Sequence, residues 1–273
     1  MNTRPLCLVS WDGVSEPLAM IELGGKPQFD WLLFDYSGRQ AGGSQELRGH
    51  PVLILSAQTE CKGEIYQALA AHLEQQDLTP EYVALLDDDI ITSSCDLNRA
   101  LHLARCARLD VFSPTLSHDS AYTHRWTLSQ PSRLYREVDW VEVMMPFYRG
   151  ELFRAGTPHY VGNTSSWGID KYLIPTLQQL LGLRHTALLD TVMASHRRPI
   201  TSGQKIYRNG RTAGEESALL KTHCQRLIAE QRPELQTSDW YRRIFLQRHA
   251  RSRWQQLKSG LGRPLRRWLE QST

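Results

Sequence analysis

No cysteine in this chain is paired by spacing. The 273 residues hold five cysteines (Cys7, Cys61, Cys95, Cys106, Cys224), scattered and without a Cys-x-x-Cys. That argues against a zinc knuckle or a redox dithiol, and an odd count makes a poor disulfide framework. Free thiols in a reducing compartment are expected. No stretch approaches the ~20 apolar residues that span a bilayer, and the opening MNTRPLCLVSWDG has too short an apolar run for a signal peptide. The expectation is a soluble, cytoplasmic protein. Internal repeats and low-complexity linkers are also missing, which leaves one domain, or one domain with an appendage.

Positive charge is in deficit over most of the chain and in excess at its end. The net charge is +3. Residues 241–269 carry nine Lys/Arg and no Asp/Glu, so the remainder sums to −6. The basic character therefore belongs to the tail.

What is present is an α/β pattern. Short apolar runs at 6–10, 31–35, 52–56, 82–86 and 111–113 read as strands, each too short for a helix. Between them, 63–76 places Ile65, Leu69 and Leu73 on one helical face, and 96–109 does the same with Leu97, Leu101 and Ala104. The segment 126–143 reads as extended β structure. A helix is expected over 170–181, with a kink or a later start at Pro175, and 187–190 reads as the last core strand. From Glu215 the period is helical, with Leu219, Leu220, Leu227 and Ile228 on one face, and a second helical stretch starts near Ser238.

The most informative segment is YVALLDDDI. A buried strand delivers Asp87, Asp88 and Asp89 to its C-terminal end, where open α/β sheets bind ligands. Three adjacent carboxylates repel, and a nearby cation offsets that cost. Oxygen ligands favour Mn²⁺ or Mg²⁺ over zinc, and such an ion suits a nucleotide diphosphate leaving group. The plainer reading is a solvated turn or helix cap.

Two further segments bear on the choice. In SSWGID, Trp167 and Gly168 form a turn that sets Asp170 at a helix start, as an N-cap or as a base for an acceptor hydroxyl. Its place at a helix N-terminus predicts a stabilised charge and a lowered pKa. In LLDTVMASHRRP, a strand ending at Asp190 and a short helical turn would bring Asp190 and His196 to one cleft, with His196 as a metal ligand.

Taken in order, LLFDYSG, Lys62, LLDDDI, FSPTL, VEVMMPFYRGELF, SSWGID and LLDTVMASH resemble the glycosyltransferase family catalogued as number 707 among the domains of unknown function, and more distantly GT-A glycosyltransferases. The blocks cover roughly residues 5–200. The family's acidic site has an aspartate–glutamate–aspartate flavour, where this chain has three aspartates.

The resemblance implies a GT-A fold, Rossmann-like with a mixed sheet flanked by helices, and a nucleotide-sugar donor. It makes Asp89 a metal ligand, Asp87 a metal or donor contact, and His196 the histidine that completes the metal shell. Asp88, Trp167 and Gly168 fall on the donor side. Asp170 becomes the base of an inverting reaction, Lys62 the cation that steadies the acidic motif or the diphosphate, and Asp12 a contact for base or ribose. For Lys62 and Asp12 plain solvent exposure is the alternative. Glu142, Trp140, Tyr148 and Asp190 are candidates for the acceptor side, although aromatic residues are also ordinary core.

Residues 240–269 set Trp, Leu and Ile among arginines, which suits an interfacial helix on anionic lipid; the alternative is a tail packed on the domain. Nucleic-acid binding has nothing but charge in its favour.

The expected organisation is a GT-A-like catalytic domain at 1–214 and a helical, basic extension at 215–273. The expected reaction moves a sugar from a nucleotide-diphosphate sugar to a saccharide or glycolipid acceptor, in cell-surface polysaccharide or glycolipid assembly, with the protein cytoplasmic or peripheral at the inner membrane face. The rivals are a nucleotidyltransferase, for which SWDGVSEPLAM is a poor version of the Gly-rich, basic phosphate loop, and a non-catalytic scaffold subunit.

Overall fold

The computed structural model describes residues 4–198 and 203–246. Its strands are β1 (Leu6–Trp11), β2 (Ile21–Glu22), β3 (Asp30–Asp35), β4 (Gly43–Leu47), β5 (His50–Ser56), β6 (Tyr82–Leu86), β7 (Ile90–Ser93), β8 (Val111–Leu116), β9 (Arg136–Glu137), β10 (Phe147–Arg149) and β11 (Thr186–His196). The helices are α1 (Lys62–Gln75), α2 (Ser94–Cys106), α3 (Gly150–Ala155), α4 (Thr157–Tyr160), α5 (Ile174–Leu181), α6 (Ala213–Gln231) and the short α7 (Asp239–Tyr241).

One mixed sheet runs β2-β7-β11-β8-β10-β6-β1-β3-β5-β4. Strands β5, β3, β1 and β6 are parallel neighbours, whereas β10 is inserted antiparallel between β6 and β8. The strands alternate, and each face has its own core. Leu6, Leu8, Leu32, Phe34, Val83 and Leu85 pack against α1, α3, α5 and α6. Cys7, Val9, Trp31, Leu33, Ala84 and Leu86 face α2. Near-continuous apolar strands, with successive residues buried on opposite faces, are what a covered parallel sheet requires. The chain winds outward from β1 through β3 to β5, then returns by α1 to place β6 on the other side of β1. The strand order thus reverses between β1 and β6, whose carboxyl ends form a switch-point crevice.

The five early strands and both early helices agree with the sequence pattern. Three later elements do not. The segment 126–143 is not a strand: it holds a 3₁₀ turn (Arg125–Thr127), the two-residue β9 and otherwise irregular chain. Its apolar residues serve a local aromatic cluster instead, with Trp126 edge-on to Trp140 at 5.0 Å. The helix expected at 170 opens as a π turn (Ile169–Leu173), and regular α5 begins at Ile174 with Pro175 in its first turn, where no N–H is needed. The last core strand does not stop at Asp190. It runs to His196 with an irregularity between Leu189 and Met193, and its far end pairs with β7, Ser195 opposite Ile91 and His196 opposite Ile90.

Helix α6 starts at a capping box formed by Thr212 and Glu215. It is part of the domain, because Leu220, Cys224 and Ile228 enter the same core as α1 and α5, joined by Tyr241, Ile244 and Phe245. Of the basic stretch 240–269, only the part up to 246 lies within the described residues.

Candidate active site

The three consecutive aspartates leave β6 on a tight turn, which points their side chains in three directions. Each meets its own cation. Asp87 accepts from the Lys62 ammonium at 2.6 Å. Asp88 takes a two-pronged contact from Arg198 at 2.8 and 3.1 Å, plus the Tyr36 hydroxyl at 2.9 Å. The Oδ2 of Asp89 lies 3.1 Å from the His196 Nε2.

Lys62 opens α1 and is nearly buried. Its ammonium is shared among Asp87 and the carbonyls of Leu85, Val143 and Met144. It ties the acidic turn to the chain crossing below it. Burial pushes the Asp87 carboxyl up, and the Lys62 charge offsets part of that rise.

Asp89 and His196 meet because of strand register. Pairing His196 with Ile90 puts it beside the residue just before β7, and the Arg197 N–H donates to the Asp89 carbonyl. The Nδ1 of His196 faces the Ala121 carbonyl at 2.9 Å. That contact puts a proton on Nδ1, so the hydrogen bond from Nε2 to Asp89 is made by the imidazolium form, while the neutral ring offers its Nε2 lone pair to a cation. Hydrogen bonding to Asp89 raises the His196 pKa against the opposing effect of burial. For Asp89, burial works upward but the imidazole wins, so its carboxyl stays low.

One carboxylate and one imidazole, both nearly buried, fit two positions of a hard divalent cation that takes its other ligands from phosphate and water. Among the described residues no three His, Cys, Asp or Glu side chains converge for a metal. Asp87, expected among the ligands, is held by Lys62 instead.

Around this turn the carboxyl ends of β1 and β3 are shaped by two aspartates. Asp12 closes its own loop, its Oδ1 accepting from the N–H groups of Val14 and Ser15 and the Ser15 hydroxyl. Asp35 was not singled out in the sequence. It is fully buried and takes five donors: the N–H groups of Ser37, Arg39 and Gln40 and the hydroxyls of Ser37 and Ser56. Burial would raise its pKa, but these donors hold it well below the usual range. A strand-end aspartate followed by Tyr-Ser-Gly was the available signal.

The second half of the site is the 163–170 loop. Glu216 of α6 is buried and accepts from the N–H groups of Thr164 and Ser165 at 2.9 and 2.7 Å. From the other side, the Gly63 N–H donates to the Thr164 carbonyl at 2.9 Å. A Cβ at Gly63 would come within 2.2 Å of the Asn163 carbonyl, so that close approach requires glycine. Gly168 sits at φ +90°, the left-handed turn that leads into the π segment. Trp167 is exposed and packs over Gly203, where a Cβ would stand 2.6 Å from the indole.

Asp170 lies inside the π turn, beyond the position of a helix cap. Burial, then the charge of Glu142, pushes its carboxyl up to about 7, the reverse of the lowering expected from a helix N-terminus. Desolvation there outweighs the dipole of one irregular turn. The Glu142 carboxyl is also raised by burial, and it feels His196, Asp87 and Lys62. Its Oε2 is buried without a hydrogen-bond partner among the described residues. Glu142 thus links the acidic turn electrostatically to Asp170.

Three acceptor-side candidates fall elsewhere. Asp190 is completely buried and paired with Arg136 at 2.7 Å, with the Gln130 N–H as a further donor. The strand continues past it, so it does not share a cleft with His196. Tyr148 is wholly buried with its hydroxyl 2.9 Å from that of Tyr66. Trp140 is buried against Trp126 and His124.

No protein-family model matches the chain, the one numbered 707 included, and no curated protein does either. Solved structures similar to it include that of S. aureus TarS 1-349 in complex with UDP-GlcNAc, at 12% identity and TM-score 0.49, covering 87% of this chain and 73% of that one. TarS 1-349 without a named ligand matches at 13% identity and TM-score 0.49, covering 95% and 79% of the two chains. A197 from STIV matches at 14% identity and TM-score 0.37, covering 74% and 98%. These scores carry no functional argument; the mixed α/β architecture rests on the sheet order itself.

Proposed function

We propose that the protein is a GT-A-type glycosyltransferase that moves a sugar from a nucleotide-diphosphate sugar to an acceptor hydroxyl. The observation that carries this reading is a division of labour at the β1/β6 switch point. An acidic turn balanced by Lys62, Arg198 and His196 is joined through the charge of Glu142 to a separate carboxyl, Asp170, whose pKa is pushed up to about 7. Displacing a diphosphate needs charge management on one side and a proton acceptor on the other.

Asp89 and His196 would hold Mn²⁺ or Mg²⁺, which when bound neutralises charge on the leaving diphosphate. Lys62 keeps the turn in place. Arg198, on the exposed side of Asp88, is within reach of the same phosphates. Asp170 takes the proton of the acceptor hydroxyl as the sugar–oxygen bond forms, so the reaction inverts. Asp12 and Trp167 border the donor. Saccharide or glycolipid acceptors of cell-surface assembly suit this chemistry.

The test is calorimetric titration of nucleoside diphosphates and a panel of nucleotide sugars with and without Mn²⁺, followed by product analysis. Metal-enhanced diphosphate binding and slow sugar release are expected. Absence of any nucleotide binding would leave a scaffold role instead, and release of inorganic pyrophosphate from a nucleoside triphosphate and a sugar phosphate would indicate a nucleotidyltransferase.

A further inference from the structure

Next to Asp170, two ammonium groups converge on one aromatic ring. The Lys171 Nζ lies 5.2 Å and the Lys221 Nζ 5.9 Å from the centre of the Tyr172 ring. The lysines come from different elements, the π turn and α6. All three residues are half-buried. The ring itself is fixed. Phe245 stacks on it at 5.7 Å with an interplanar angle of 19°, and a Cβ at Gly168 would stand 3.4 Å from its edge.

The Tyr172 ring attracts each ammonium, but the two like charges repel, and an anion between them would offset that repulsion. Among the described residues neither ammonium lies within ion-pair distance of a carboxylate, although Lys171 feels the charge of Asp170. Burial lowers the Lys171 pKa, Lys221 lowers it further, and only the Asp170 charge opposes them. That places Lys171 within electrostatic reach of the carboxyl assigned as base, and Lys221 within reach of Lys171.

We propose that Lys171 and Lys221, set by the Tyr172 ring, form an anion clamp for the acceptor, so that the acceptor is a saccharide carrying a phosphate or carboxylate near the hydroxyl that is glycosylated. The assignment to the acceptor rests on the transferase reading; the anion site itself does not. Two ammoniums grip phosphate or carboxylate as point charges without demanding one fixed geometry. An anionic group seated there draws the neighbouring hydroxyl toward Asp170.

The experiment is a backbone-amide NMR titration of the full chain with glucose 6-phosphate, glucuronate and glucose, beside a nucleoside-diphosphate titration of the same protein. Saturable shifts at 168–172 and 217–224 are expected with an anionic sugar and not with glucose, the phosphate and carboxylate arms telling the two sources apart. Affinity should fall at least about fivefold in K171Q/K221Q and be retained in K171R/K221R, which controls for folding. Equal shifts with glucose, or an unchanged response in K171Q/K221Q, would overturn the clamp. Diphosphate binding without any anion response sinks the clamp alone. An anion response in a protein that binds no nucleoside diphosphate keeps the site and removes its assignment to a transferase acceptor.

Discussion

The His196 imidazole stands 3.1 Å from the Asp89 carboxylate while its other nitrogen faces the Ala121 carbonyl at 2.9 Å. Two residues more than a hundred positions apart are joined by one antiparallel register, and a backbone oxygen sets which nitrogen faces the acid. The two are hydrogen-bonded as imidazolium and carboxylate, and with the ring neutral both can face one common cation.

It follows that Asp89→Asn and His196→Ala should each weaken Mn²⁺-dependent binding of a nucleoside diphosphate by ~10–100-fold. Metal-independent binding should change little. Isothermal titration with and without Mn²⁺ measures both, and a wild-type Mn²⁺ response in either variant removes the pair from the metal site.

Arg198 and Asp88 form an exposed two-pronged contact, with the arginine side chain 61% accessible. Such a surface pair contributes only about 0–1 kcal/mol to folding. Arg198→Ala should therefore leave the melting temperature nearly unchanged while lowering diphosphate affinity several-fold, most at low salt. A large loss of thermal stability would make Arg198 a structural strut.

For Asp170, transfer should rise with pH through about 7, because the base works only when ionised. Asp170→Asn should cut transfer by ~10²–10⁴-fold and leave donor affinity intact. Stability should move the other way. The folded chain holds this proton more tightly than the unfolded chain, whose aspartates titrate near ~4, so the ionised group costs the folded state stability increasingly as pH rises from there to about 7. Asp170→Asn should consequently be more stable than wild type at pH 8, by on the order of 1–3 kcal/mol, and show no gain at pH 4. Denaturant melts at both pH values decide it; a loss of stability at pH 8 would return Asp170 to a capping role.

Asp190 and Arg136 form a buried ion pair, 0% and 10% exposed in their side chains. Removing one partner strands the other charge. Asp190→Ala should cost ~3–5 kcal/mol of stability with diphosphate affinity per folded molecule unchanged. Wild-type stability with lost activity would place Asp190 in the site after all.

Tyr241, Ile244 and Phe245 close the core over α6. Ending the chain at Ser238 should destabilise the fold by several kcal/mol, since burial of one large aromatic alone is worth ~3–5 kcal/mol. Ending it after Leu246 keeps all three of these residues. Only the second truncation is a fair test of 247–273 in binding anionic vesicles, and unaltered vesicle association there would sink the membrane role.

The sequence by itself determined the elements whose physics is local. The continuous apolar runs of β1, β3 and β6 and the apolar stripes of α1 and α2 are written in adjacent residues, so strand and helix followed from run length and side-chain spacing. The acidic turn was equally legible, because three aspartates after a buried strand must emerge at a sheet end. Tertiary structure alone decided what those residues do. Nothing near Asp89 in sequence announces His196, which reaches it because β11 continues past an irregularity that spacing read as a stop. Asp190 reads from its spacing as an acceptor-side carboxylate and is a core ion pair for the same reason. Trp140 and Tyr148 looked like sugar platforms and are buried, since an aromatic residue's environment is set by what folds over it. Asp170 shows the difference in one atom group: position predicted a low pKa from a helix end, and the neighbours brought by folding, burial and Glu142, push it to about 7. Desolvation and charge coupling depend on distance in space, which one-dimensional spacing does not contain.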